Sequence, residues 1–294
     1  MKKHLLVCLI AVLFLLSGCQ KENNAEVYRE EHGDIFYNPY TQKMVIYDED
    51  SMRAFLLDDT KNQFQFWING SDDLFLDGNS LTNEFSIVQV QKSQTVLLHA
   101  FNKGEGIFPI GIVEDKVYFI HSFYDQDGKE DTQRRCIGKF DLSTSNMQDY
   151  SHTSGLIDYG AVSDEYIYYT IYDDKNDVYS LLKVDTADNQ APPEILHKSL
   201  TDGTVLVKDN QLFYVEGSLL TSNQENYRKE SVNIFYHEHL IQFYIDQSGM
   251  LCIKVTDTQT KDVFEEKDVL GIRFDDGDIL VCKQSGVIEY EMQH

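Results

Sequence analysis

The sequence predicts an all-β chain, a β-propeller of seven blades with six as the alternative, each blade built from four antiparallel strands. Three observations carry that reading. The apolar positions are dominated by Tyr, Phe, Val, Ile and Thr, which is strand chemistry, and only four prolines occur. After the N-terminal leader, no run of about 12 or more residues shows the i, i+3, i+4, i+7 apolar spacing of a helix. Short aromatic-rich segments also recur along the chain.

Those segments are Lys43–Tyr47, Leu74–Leu76, Lys116–Ile120, Tyr166–Thr170, Gln211–Val215, Leu240–Ile245 and Asp278–Cys282. They begin about 40 residues apart on average, the length of one four-stranded propeller blade. The best internal match pairs SMRAFLLDDTKNQF, from Ser51, with SGMLCIKVTDTQTKDVF, from Ser248. In these repeats two strands flank a polar hairpin, and the second ends in Asp followed by Thr or Ser. Such side chains hydrogen-bond their own backbone a few residues on, so the motif marks a turn. Residues 60–105 fit the pattern least, because the first strand of a blade is hard to find there.

With these repeats, EYIYYTIYDDKNDVYSLLKVD above all, the chain resembles the DUF5050 and TolB-like β-propellers of bacterial extracytoplasmic proteins over roughly residues 105–290. The resemblance implies a surface binding or scaffolding module and names no ligand.

The N-terminus has the three parts of a secretory signal: Met1-Lys2-Lys3-His4, an apolar run from Leu5 to Leu16, and small residues before Cys19. The run is too short to span a bilayer, which takes about 20 residues. Leu16-Ser17-Gly18-Cys19 resembles the lipobox of bacterial lipoproteins. It implies cleavage before Cys19 and a diacylglyceryl group on that thiol, enough for stable anchoring with a second acyl chain. The expected organisation is residues 1–18 as signal peptide, 19–24 as lipidated cysteine and short tether, and 25–294 as a single propeller domain. The expected location is the extracytoplasmic face of the cell membrane. The C-terminal unit offers three strands, so the closing blade takes a strand from the N-terminus, with Ala25–Arg29 the candidate.

Charge narrows the partners. With 49 acidic against 25 basic side chains the net charge is −24. A nucleic-acid partner is disfavoured, since phosphate contacts need clustered Lys and Arg. The membrane, through the lipid, is the expected partner, together with a protein or cationic ligand. Cys136, Cys252 and Cys282 lie in strand-like contexts without CxxC spacing and are expected as buried thiols, with oxidation of one pair outside the cell the alternative. No metal site or cofactor is expected.

Catalytic motifs are absent: there is no GxSxG, HExxH or Walker loop. Ser180-Leu181-Leu182-Lys183 matches SxxK but falls in a strand, where that nucleophile does not sit. His237-Glu238-His239 places both imidazoles on one side of a strand, or else lies in a turn. The acidic loops Asp48–Asp50, Asp125–Asp131 and Asp173–Asp177 recur between paired strands. Asp125, Asp127, Asp173 and Asp174 are the weak candidates for a cation, against the simpler reading as solvated turns. The function this supports is a membrane-anchored, non-enzymatic binding or scaffolding module; the alternative is a hydrolase or lyase working in the propeller channel.

Overall fold

The computed structural model describes residues 33–291 apart from 49, 57–62, 80, 126 and 276. Cys19, the lipobox and Ala25–Arg29 lie outside the described residues. Within them the fold is a β-propeller, with one three-residue 3-10 turn at Thr132–Arg134. Among the described residues no helix is long and apolar enough to cross a membrane.

Five blades are four-stranded antiparallel meanders. Blade I holds β4 (Gln63–Trp67), β5 (Leu74–Asn79), β6 (Glu84–Gln91) and β7 (Gln94–Ala100). Blade II holds β8 (Glu105–Val113), β9 (Lys116–Phe123), β10 (Cys136–Asp141) and β11 (Asn146–Asp149). Blade III holds β12 (Ile157–Val162), β13 (Tyr166–Asp173), β14 (Val178–Asp185) and β15 (Glu194–Leu200). Blade IV holds β16 (Val205–Lys208), β17 (Gln211–Glu216), β18 (Leu219–Thr221) and β19 (Asn226–Arg228). Blade V holds β20 (Val232–Tyr236), β21 (His239–Ile245), β22 (Leu251–Asp257) and β23 (Val263–Lys267).

The sixth sheet is composite. The N-terminal strands β1 (Asp34–Asn38), β2 (Lys43–Asp48) and β3 (Arg53–Leu56) join β24 (Val269–Asp275), β25 (Asp278–Lys283) and β26 (Gly286–Tyr290) in the order β26-β25-β24-β1-β2-β3. The sheets therefore number six, the alternative count, and not seven. The seven aromatic segments are all found, each as the second strand of a meander, but Lys43–Tyr47 and Asp278–Cys282 belong to one sheet. An N-terminal strand does join the C-terminal meander, but it is Asp34–Asn38, and the candidate Ala25–Arg29 lies outside the described residues. Asp34–Asn38 joins the first strand of the C-terminal meander, not its last: β1 and β24 meet at the single pair Tyr37↔Ile272.

Burial explains why these segments form strands where they do. The second strands lie between neighbouring blades and are buried on both faces, with β9 buried from Val117 to Ser122, so they read as unbroken apolar runs. The fourth strands are solvent-facing, and β11 (NMQD) is exposed throughout. An apolar cluster fills each interface between successive blades. One example joins Leu76, Phe85, Ile107 and Phe119 across blades I and II. At the closure, Ile35, Tyr37 and Met44 of the composite blade meet Phe75 and Val88 of blade I. A further cluster of Phe36, Tyr47 and Cys282 packs the two halves of the composite sheet on each other, so that sheet folds about its one joining pair.

Candidate functional site

Where the composite blade meets blade I, packing is incomplete and a cavity of about 310 Å³ remains. That is the lower end of the range for small-molecule sites, about 300–1,000 Å³. β1 and β24 supply Phe36, Tyr37, Ile272 and Phe274, and β4 and β5 supply Trp67 and Phe75. Trp67 is the only tryptophan in the chain. Its ring centroid lies 5.0 Å from that of Phe274, which in turn stacks on Tyr236 at 3.9 Å. The indole N–H donates to the Ser71 carbonyl (2.8 Å), fixing the ring.

The polar groups sit around this aromatic wall. The Tyr236 hydroxyl donates to Asp72 Oδ1 (2.7 Å), and burial followed by this bond holds its phenol well above the usual range. Gln89 Nε2 donates to Asp73 Oδ2 (2.7 Å). The Arg273 guanidinium lies 3.0 Å from the Asp34 carboxylate and 3.3 Å from that of Asp275, over the ring of Phe36. Tyr37, buried, donates its hydroxyl to the Gln65 carbonyl (2.9 Å), and burial raises its pKa. Both cations of the lining, Arg273 and Lys92, face Asp34, and among the described residues the side-chain donors to Asp72 and Asp73 are neutral. Aromatic faces beside carboxylates are the chemistry that receives a cation with an apolar body.

No protein-family model matches the chain, and no curated protein does. Solved structures do resemble it. An uncharacterised protein of Listeria monocytogenes aligns at 12% identity over 86% of this chain and 90% of its own, with a TM-score of 0.46. Apo AztD from Citrobacter koseri aligns at 10% identity over 85% and 88%, with a TM-score of 0.47. The β-propeller domain of the Trilobed protease from Pyrococcus furiosus, described as having an open velcro topology, aligns at 9% identity over 76% and 78%, with a TM-score of 0.43. The likeness is one of fold alone.

The acidic loops occupy equivalent places, each between the second and third strands of its meander. Their leading carboxylates are engaged locally. Asp125 Oδ1 accepts from the N–H groups of Asp127 and Lys129 (both 2.9 Å). Asp173 Oδ1 accepts from those of Lys175 (3.0 Å) and Asn176 (3.3 Å), while its second oxygen takes the Asn176 side-chain amide (2.7 Å). Asp48 and Asp246 cap their hairpins in the same way. Asp127 and Asp174 are exposed. Among the described residues, none of these carboxylates belongs to a group of three closely spaced ligating side chains.

His237 and Glu238 form the turn between β20 and β21, His237 in the left-handed region at φ 47°, and His239 opens β21. His237 is exposed and His239 buried, so the two imidazoles do not share a face. Cys252 and Cys282 are buried free thiols, and Cys136 is a half-buried one. Ser180 and Lys183 lie within β14. Sequence reasoning missed the cavity because its walls come from opposite ends of the chain. The one usable signal was Trp67, in the segment where the strand pattern is weakest.

Proposed function

We propose that the protein is a lipid-anchored, extracytoplasmic binding module of the bacterial cell surface, akin to the DUF5050 and TolB-like propellers, whose ligand occupies the cavity at the ring closure. The observation that carries the binding role is the aromatic wall of Trp67, Phe274 and Phe36 beside Asp72 and Asp73. The ligand class is a cation with an apolar body, in keeping with the net charge of −24. The described lining contains no Ser, Thr, Cys or His to act as nucleophile or imidazole base, which favours binding over the hydrolase or lyase reading. Anchoring rests on Leu16–Cys19 and is independent of the cavity.

Trp67 makes the binding test direct, since all tryptophan emission comes from the cavity wall. Titration with benzyltrimethylammonium should change that emission saturably, and Asp72→Asn should weaken the response. A linear, non-saturating response, or one indifferent to Asp72→Asn, would remove the cavity from the proposal. Anchoring is tested separately: Cys19→Ala should abolish lipid labelling in cells, and labelling that survives the substitution defeats it.

A further inference from the structure

On blade II, away from the cavity, three side chains of different chemistry converge. His121 in β9 and Cys136, the first residue of β10, are direct cross-strand partners, so their side chains rise from the same face of the sheet. Asp149, the last residue of β11, pairs with Gly138, which shares that face two residues along β10. The glycine makes the convergence possible. A Cβ at Gly138 would stand 3.1 Å from Asp149 Oδ1 and overlap the Phe119 ring; with none, the carboxylate leans diagonally to reach 2.9 Å from His121 Nδ1. A ring nitrogen of His121, the Cys136 sulfur and an Asp149 oxygen all lie within 4.8 Å of one another.

We propose that His121, Cys136 and Asp149 form a binding site for a transition-metal ion of the zinc class, with a fourth position open to solvent. A thiolate, an imidazole and a carboxylate suit Zn²⁺ or Co²⁺ and not Ca²⁺ or Mg²⁺, which take oxygen ligands. Bond lengths of about 2.0–2.3 Å set tetrahedral ligand atoms roughly 3.3–3.8 Å apart, a separation that small side-chain adjustments reach from the present arrangement. Three protein ligands plus one open position is the pattern of reactive, not structural, zinc sites. Access fits: the His121 side chain is 2% exposed, but that of Asp149 is 40% exposed and forms the outer lip.

The surroundings hold the imidazole in place without satisfying it. His121 packs at 4.2 Å between ring centroids against Phe123, itself covered by Arg134. Among the described residues its Nε2 is buried with no hydrogen-bond partner, and the Asp149 contact is the ring's polar interaction. The same three residue types also resemble a cysteine nucleophile with its base. That role is disfavoured by the thiol's setting, half-buried beside the Asp149 carboxylate, whose charge opposes a free thiolate. A bound divalent ion supplies the charge that a thiolate needs at this position, with release of the thiol proton on binding.

Cobalt tests the proposal, because a cobalt–thiolate bond adds a near-ultraviolet charge-transfer band. The purified full chain titrated with Co²⁺ should show that band saturating at one equivalent, with displacement by Zn²⁺ and not by millimolar Mg²⁺. Cys136→Ser should remove the band, while Cys282→Ser should leave it intact. Asp149→Asn, a near-isosteric change at a part-exposed position, should weaken Co²⁺ binding. The absence of a thiolate band in the folded wild-type chain overturns the proposal. So does a band that survives Cys136→Ser and thereby belongs to another cysteine.

Discussion

The hairpins that link the second and third strands of blades II and III begin alike and end differently. Each opens with an aspartate, Asp125 or Asp173, whose carboxylate accepts backbone N–H groups of its own turn. In blade III the ladder runs without a break to the turn, closing at Asp173↔Val178. In blade II it stops at His121↔Cys136, and the chain makes an excursion with its own bridge, Tyr124↔Glu130. The excursion is held by Arg135, which reaches Glu130 (2.8 Å) within the loop and Asp158 (2.8 Å) and the Ile157 carbonyl (2.8 Å) on blade III. The acidic motif is thus a turn device in both. Chemistry collects where an insertion ends the ladder and leaves a buried histidine beside a cysteine.

The largest effect that would sharpen this contrast is expected from Arg135→Ala. It leaves Glu130 and Asp158 facing each other without their cation. Unpairing a buried ion costs about 3–5 kcal/mol, and partial exposure here lowers the expectation to about 2–3 kcal/mol. Urea melts measure it. Asp173→Ala in the plain hairpin removes only a turn cap and should move the same transition less, and equal losses would break the distinction between the two loops.

Gly138→Ala comes next. Its methyl group would overlap the Phe119 ring, for an overpacking cost of about 1–3 kcal/mol, and would displace the Asp149 carboxylate. A melt gives the first effect, and loss of cobalt affinity gives the second. A stable variant with unaltered cobalt binding would contradict the diagonal geometry.

Acid should expose the capping role of the turn aspartates. The Ser248 hydroxyl and then the Met250 N–H hold the Asp246 carboxyl down at about 2. A depressed folded pKa contributes stability that is fully present above the unfolded value of about 3.9 and is lost as pH falls through the folded value. The stability difference between wild type and Asp246→Ala should therefore be constant near neutrality and shrink between about pH 4 and pH 2. A difference that persists unchanged at pH 2 would assign the cap to something other than the carboxylate.

The smallest effect is none at all. At constant ionic strength, millimolar Ca²⁺ should leave the melting midpoint where Mg²⁺ leaves it, because Asp125 and Asp173 already serve their own turns. A rise specific to Ca²⁺ would make the acidic rim a cation site after all.

What the sequence disclosed follows burial. A strand covered on both faces must be apolar throughout, so KVYFI and YIYYT stand out. A solvent-facing fourth strand such as Asn146–Asp149 looks like loop. Local turn chemistry was also legible: Asp141 Oδ1 accepts from Ser143 and Thr144, and Asp257 Oδ1 from Gln259 and Thr260. The blade count was not, because nothing local says that β1 and β24 share a sheet. Nor was the His121–Cys136–Asp149 cluster. Alternation places Cys136 and Gly138 on one face, but pairing with His121 depends on a register set across the insertion at residues 124–135.

The composite sheet also fixes an order of events. The Asn38 side-chain amide donates to the Leu270 carbonyl 232 residues away, so this contact must wait for nearly the whole chain to be made. Until then Phe36 and Tyr47 lack the Cys282 side of their cluster, and exposed apolar surface of this kind packs against the wrong neighbour. Closing so long a loop is slow, since its entropy is lost before the distant contacts can form. The ring is completed last, and its most vulnerable interval during folding ends when residues 269–290 arrive and the two termini of the propeller lock together.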